Sequence, residues 1–141
     1  MELTLDQALQ QGIAAHKEGK LQDAERLYRA ILQAQPEHPD ANHNLGALAV
    51  AVGNPLEAIP FFKIALEANP HIEQFWLSYI GVLITVERFD EAKHVLVEGE
   101  KSGVSSEKLD ALKQRLQASV TNDTSKSKKG QTLSEKRKKI A

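Results

Sequence analysis

Cysteine is absent from the 141 residues, which excludes disulfides, thiolate metal sites and a cysteine nucleophile. Aromatic residues make up only 5%, and the frequent Ala and Leu suit closely packed helices. The longest apolar stretch, residues 45–52, contains a glycine and is far too short to cross a bilayer. The N-terminus lacks the cationic start and apolar centre of a signal peptide. We therefore expect a cytoplasmic protein with no membrane association.

Groupings typical of catalytic and metal sites are also missing. The five histidines follow no zinc-site spacing such as H-E-x-x-H, and the sequence has no glycine-rich phosphate loop. Glu57, Glu67 and Glu91 fall on helix faces expected to be solvated, where an acid–base pair would lack burial. We expect no enzyme activity, no cofactor and no metal within these residues.

The sequence aligns with itself when it is shifted by a constant number of residues, so that position 24 matches position 58 and position 58 matches position 92. The aligned residues are Ala24, Ala58 and Ala92; Gly12 and Gly46; Gly19 and Gly53; Pro36 and Pro70; and Tyr28, Phe62 and Leu96. Agreement of several residue types at this 34-residue period predicts a repeat protein. The recurring glycines and alanines are predicted to lie where two helices pack closely, since larger side chains there would cost roughly 1–3 kcal/mol.

Each unit has the pattern of two helices. In the second unit, Pro39 and Asp40 open a helix that runs to about Val52. Asn54 and Pro55 then suit the start of a second helix, which ends before the Asn-Pro pair at 69–70. The units therefore predict successive helical hairpins.

These units resemble the tetratricopeptide repeat (TPR), whose pattern is W-x2-L-G-x2-Y…A-x3-F…P. The second unit matches best, through Leu45, Gly46, Ala58, Phe62 and Pro70. The resemblance implies an all-α fold, a right-handed α-solenoid of three helix–turn–helix repeats with a C-terminal capping helix. It also implies that a protein or peptide partner binds in a concave groove formed by the first helix of each repeat.

The predicted TPR domain covers 1–119, with repeats at about 5–38, 39–72 and 73–106 and a capping helix at about 106–119. Two residues depart from the pattern. Pro60 lies inside the second helix of its unit, where we expect a kink or a tightened turn. Gly81 is one residue off the glycine register, which puts a close helix approach there in question.

Helical phase assigns fourteen residues to the groove. They are Asp6, Leu9, Gln10, Ile13, His16, Lys17, Asp40, His43, Asn44, Ala47, Gln74, Leu77, Ser78 and Gly81. TPR proteins that clamp a terminal carboxylate use Lys, Arg and Asn at set groove positions, of which only Asn44 is present here. Asn44 also resembles the asparagine that binds peptide backbone in O-GlcNAc transferase repeats. The alternative is a polar side chain bonded to water.

Residues 120–141 are predicted to be a disordered basic tail or linker. Residues 121–141 carry seven Lys/Arg and two acidic groups, +5, and the other residues carry 11 basic and 17 acidic groups, −6. The T-x-x-E run at 132–135 suits a helix start close to the chain end, which favours a fragment of a longer protein. The basic run at 136–139 is either a solubilising linker or a weak, non-specific contact for nucleic acid.

The sequence thus predicts a protein–protein interaction scaffold that binds a partner peptide or helix in its concave groove. The alternative is the N-terminal, substrate-recruiting TPR region of a larger glycosyltransferase-, sulfotransferase- or methyltransferase-like enzyme. Reading the gene beyond Ala141 distinguishes the two.

Overall fold

The computed structural model describes the backbone of residues 3–131 and the side chains of residues 3–120. This part of the chain forms seven α-helices and no strand. They are α1 (Leu5–Lys17), α2 (Leu21–Ala34), α3 (Pro39–Ala51), α4 (Pro55–Ala68), α5 (Glu73–Thr85), α6 (Phe89–Lys101) and α7 (Ser106–Gln131). The first six form three hairpins, and corresponding helices begin one repeat period apart, as the sequence predicts.

Local sequence determines where several of these helices begin. Thr4 and Gln7 form a reciprocal capping box before α1, with the Gln7 amide donating to Thr4 Oγ1 at 3.0 Å. Pro39 and Pro55 occupy the first positions of α3 and α4, where the missing N–H costs nothing. The α4 helix then continues past Pro60 to Ala68 without interruption.

The turn inside each hairpin uses a left-handed residue at the same repeat position. Gly19 and Gly53 have φ angles of 80° and 85°, and Glu87 occupies the equivalent position with φ 64°. An L-residue in this region carries roughly 1–2 kcal/mol of strain, so the third turn is less relaxed than the first two.

Glycine allows an aromatic ring of the second helix to contact the backbone of the first. A Cβ built on Gly12 would lie 2.5 Å from Tyr28 Cε1, and one on Gly46 would lie 2.5 Å from Phe62 Cε1. In the third hairpin the glycine register holds Ile80, which is fully buried. A Cβ on Gly81 would meet nothing closer than 3.5 Å, so no close helix approach occurs at Gly81.

Corresponding side chains also secure the connections between repeats. The buried Asn42 donates through Nδ2 to the Pro36 carbonyl at 3.0 Å. Trp76, which occupies the same position in the next repeat, donates through Nε1 to the Pro70 carbonyl at 2.8 Å. Each donor satisfies a carbonyl at the bend that leads into the next hairpin.

The last helix packs against α5 and α6 and covers the end of the stack. Its Leu109 and Leu116 are buried, and Glu73 of α5 accepts hydrogen bonds from the Ser105 amide and Lys108 Nζ. The α7 helix continues to Gln131, past the predicted end at about 119 and into the stretch expected to be a disordered linker. Between residues 104 and 129 the sequence has neither glycine nor proline to stop it. The predictions for residues 132–141 fall outside the described residues.

Candidate functional site

The order of helix contacts defines an inner and an outer layer. Within residues 3–131, α1 contacts α3, α3 contacts α5 and α5 contacts α7, whereas α2, α4 and α6 do not contact one another. A stack whose first helices pack together while its second helices spread apart is concave on the side of the first helices. All fourteen predicted groove residues belong to α1, α3 and α5.

A small polar network joins α3 to α5 on these inner helices. His43 Nε2 lies 2.7 Å from Ser78 Oγ, and Gln74 Nε2 donates to the same hydroxyl oxygen at 3.0 Å. Since Ser78 accepts from Gln74, its own proton is free to be donated to the imidazole. The network therefore suits a neutral His43 and brings together three of the predicted groove residues.

Aromatic rings hold His43 in this position. Its ring stacks on Phe75 at a centroid distance of 4.9 Å and lies 5.2 Å from Phe62 in a tilted arrangement. Burial lowers the pKa of His43, and this effect is opposed by hydrogen bonding to Asn44 and by the charge of Asp40. The lowered pKa favours the neutral form of the imidazole, and the aromatic contacts hold it between two repeats.

Asn44 lies beside the core as well as on the inner face. Burial raises the pKa of the Tyr28 hydroxyl, and hydrogen bonding to Asn44 lowers it in opposition. Asn44 is half-buried, and it affects the pKa of both Tyr28 and His43.

The remaining predicted groove residues differ in exposure. Five are exposed, namely Asp6, Gln10, Lys17, Asp40 and Gln74. Ile13, His16, Ala47, Leu77 and Gly81 are half-buried, as are His43, Asn44 and Ser78. Leu9 is 7% exposed and belongs to the hydrophobic core of the first repeat and α3. Leu9 therefore belongs to the core and does not line the groove, because its apolar side chain packs against residues of α2 and α3.

The comparisons with known proteins give one consistent family. The family model for the tetratricopeptide repeat matches residues 9–71. The tetratricopeptide repeat-containing protein trd-1 of Caenorhabditis elegans is 28% identical in an alignment of 133 residues that covers 90% of this chain and 17% of that protein. The chain thus spans less than a fifth of the length of this relative.

Solved structures agree on the fold. The TPR2B domain of yeast Sti1, in a complex with pHsp70, superposes with a TM-score of 0.72 at 18% identity, covering 81% of this chain and 96% of that one. The TPR domain of Sgt2 from Aspergillus fumigatus gives 0.69 at 21% identity, covering 88% and 82%. Residues 9–71 of this chain thus match the tetratricopeptide repeat (TPR), and the described part of the chain has the TPR fold.

The α7 helix of this TPR protein adds inner residues that the sequence prediction missed. Its Lys108 lies one repeat period after Gln74, and its Arg115 lies one repeat period after Gly81. Arg115 Nη2 donates to Thr85 Oγ1 on α5 at 2.7 Å, which places the guanidinium on the inner helices. Extending the rows of equivalent positions past the third repeat would have identified both cations. The role of α7 as a cap does not by itself indicate that these two side chains lie on the inner face.

Metal-binding clusters and membrane-spanning helices are both lacking in the part of the TPR chain that the structure describes. No group of three or more His, Asp or Glu side chains there is arranged to hold a metal ion. None of its helices combines the length and the apolar character that a membrane span requires.

Proposed function

We propose that this TPR protein acts as a binding scaffold whose concave face, formed by α1, α3, α5 and α7, holds an extended segment or a helix of a partner protein. It performs no catalysis. The observation that carries the proposal is the polar network of His43, Ser78 and Gln74, which is fixed between two repeats on the inner helices. Polar groups already held in place lose little conformational freedom on binding, which favours affinity.

The chemistry of the inner helices suits a peptide. Ile13, Ala47 and Leu77 supply apolar area, and the polar side chains beside them can orient a backbone. The complex of the Sti1 TPR2B domain with pHsp70 supports a protein ligand for a domain of this fold. The clamp for a terminal carboxylate is not the expected mode, because Leu9, Gln74 and other uncharged residues occupy its positions.

The test uses random twelve-residue peptides displayed on phage and selected on the wild-type protein. Ala47 lies near the middle of the proposed groove, and Ala47→Arg fills it with a long side chain. Ala30→Arg is the matched control, since Ala30 is exposed on the outer helix α2. We expect Ala47→Arg to weaken binding of a selected synthetic peptide at least about tenfold, or 1.4 kcal/mol, and Ala30→Arg to leave the Kd unchanged.

Circular dichroism melts of both variants check that the fold is retained. A selected peptide whose binding is insensitive to Ala47→Arg and abolished by Ala30→Arg would place the site on the outer face. The substrate-recruiting role in a larger enzyme, the contact of the tail with nucleic acid and the cytoplasmic location stay predictions from the sequence.

A further inference from the structure

One arginine differs from the others in its surroundings. Four arginines lie within residues 3–120, and three of them pair with a carboxylate three or four residues away at 2.8–3.4 Å. These three are Arg26, Arg29 and Arg88. Arg115 has no carboxylate within 4.0 Å among the residues whose side chains the structure describes, and its own helix offers none at the adjacent turns.

Uncharged groups hold Arg115 in a defined orientation. Thr85 Oγ1 donates to the Gly81 carbonyl at 3.0 Å, so the hydroxyl proton is already committed and the oxygen accepts from Arg115 Nη2 at 2.7 Å. Gly81 also lies beside the guanidinium, since a Cβ added there would be 3.5 Å from Arg115 Nη1. The guanidinium is therefore placed against α5 by contacts that leave its charge unneutralised.

We propose that Arg115 binds an aspartate or glutamate side chain of the partner segment at the α7 end of the groove. The inference rests on the proposed function, since it concerns the same inner face. A guanidinium has five N–H donors in a planar fork that matches a carboxylate. One of these donors is used by Thr85, and the rest can form a charge-assisted, bidentate pair.

The inner face also carries exposed acidic side chains on α1 and α3, in addition to the cation Lys17 near the end of α1. Asp6 on α1 and Asp40 on α3 are exposed, and neither forms an ion pair within the described side chains. A uniformly acidic segment would be repelled there. The partner segment is therefore one with an acidic residue beside Arg115 and neutral or basic residues beside Asp6 and Asp40.

The decisive experiment is a double-mutant cycle that combines a substitution of Arg115 with a substitution of the acidic residue in a bound peptide. A peptide selected as above is synthesised with an amidated C-terminus, which removes the terminal carboxylate, and also with its acidic residue changed to the amide. We expect this change to weaken binding to the wild-type protein about tenfold. We expect Arg115→Gln to weaken binding of the acidic peptide by a similar factor, with no further loss for the amide peptide.

Lys113→Gln is the matched control, because Lys113 lies on the same helix and pairs with Glu100 of α6. This variant is expected to bind like the wild type, and Arg115→Lys, which keeps the charge without the fork, is expected to bind at an intermediate level. Thermal melts show whether Arg115→Gln leaves the fold unchanged.

The outcomes separate the two proposals. If the selected peptides bind in the groove but have no acidic residue at a common position, the proposed role of Arg115 is wrong and the proposed groove stands. The same holds if neutralising the acid weakens wild type and Arg115→Gln equally. A selection that yields no peptide sensitive to Ala47→Arg contradicts the groove itself, and the role of Arg115 with it.

Discussion

Single glycines control how closely the helices of a hairpin approach. A methyl group at Gly46 would lie 2.5 Å from Phe62 Cε1, and the buried ring has little room to move. We expect Gly46→Ala to lower the free energy of unfolding by about 1–3 kcal/mol, through overpacking between α3 and α4. Urea unfolding followed by circular dichroism measures this change in the free energy of unfolding.

Gly81→Ala is the matched control, because the same methyl group there meets nothing closer than 3.5 Å. Within a helix, Gly→Ala without a steric clash is expected to stabilise by about 0.5–1 kcal/mol. Equal effects of the two substitutions would contradict the close approach at Gly46.

His43 gives the stability a pH dependence with a defined sign. Burial lowers its pKa in the folded protein below the usual value near 6.5, so the unfolded chain binds protons more readily. The contribution of His43 to stability is therefore present above about pH 6.5 and lost as the pH falls towards the folded pKa. Melting temperatures at pH 7.5 and 5.5 should show a smaller loss for His43→Gln than for the wild type.

The exposed His71 provides the comparison for this experiment. His71→Gln should lose as much stability on acidification as the wild type. If His43→Gln also loses as much as the wild type, His43 is not the group responsible.

At the scale of the element, two prolines in α4 should have different effects. Pro55 occupies the first helical position, whereas Pro60 lies inside the helix and cannot donate to the Leu56 carbonyl. We expect Pro60→Ala to raise the free energy of unfolding by about 1–3 kcal/mol and Pro55→Ala to give no such gain. Chemical denaturation of both variants tests this, and a gain at Pro55 alone would refute it.

Helix starts were predictable from the sequence, whereas one helix end was not. Pro39 and Pro55 begin α3 and α4 as expected, because proline at the first position is a local signal. The sequence predicts the end of α7 at about 119, because the Lys- and Ser-rich stretch after it resembles a linker. In the structure α7 continues to Gln131, because a Lys- and Ser-rich composition alone supplies no signal that ends a helix.

At the scale of the whole molecule, α7 covers the apolar side of the third repeat. Leu109 is fully buried in the cluster that includes Ile80 and Leu83. We expect Leu109→Ala to lower the free energy of unfolding by about 2–5 kcal/mol. Leu56→Ala, at a side chain that is 65% exposed, should change it by less than about 0.5 kcal/mol. A small effect at both positions in denaturant unfolding would mean that α7 is not part of the core.

The concave face was only partly predictable. The repeat period and helical phase assigned the inner positions of α1, α3 and α5, because both depend on local sequence. They could not show that Ser78 bonds to His43, since that contact joins residues of different repeats. They also could not show that Leu9 is buried, which depends on how α1 packs against α3.

The central claim is that the concave face binds the partner, and chemical-shift mapping tests it most directly. A selected peptide is titrated into ¹⁵N-labelled protein, and amide shifts are compared between α1, α3, α5 and α7 on one side and α2, α4 and α6 on the other. The account predicts the largest shifts around His43, Asn44, Ala47 and Ser78, with little change on the outer helices. Shifts confined to α2, α4 and α6 would contradict it.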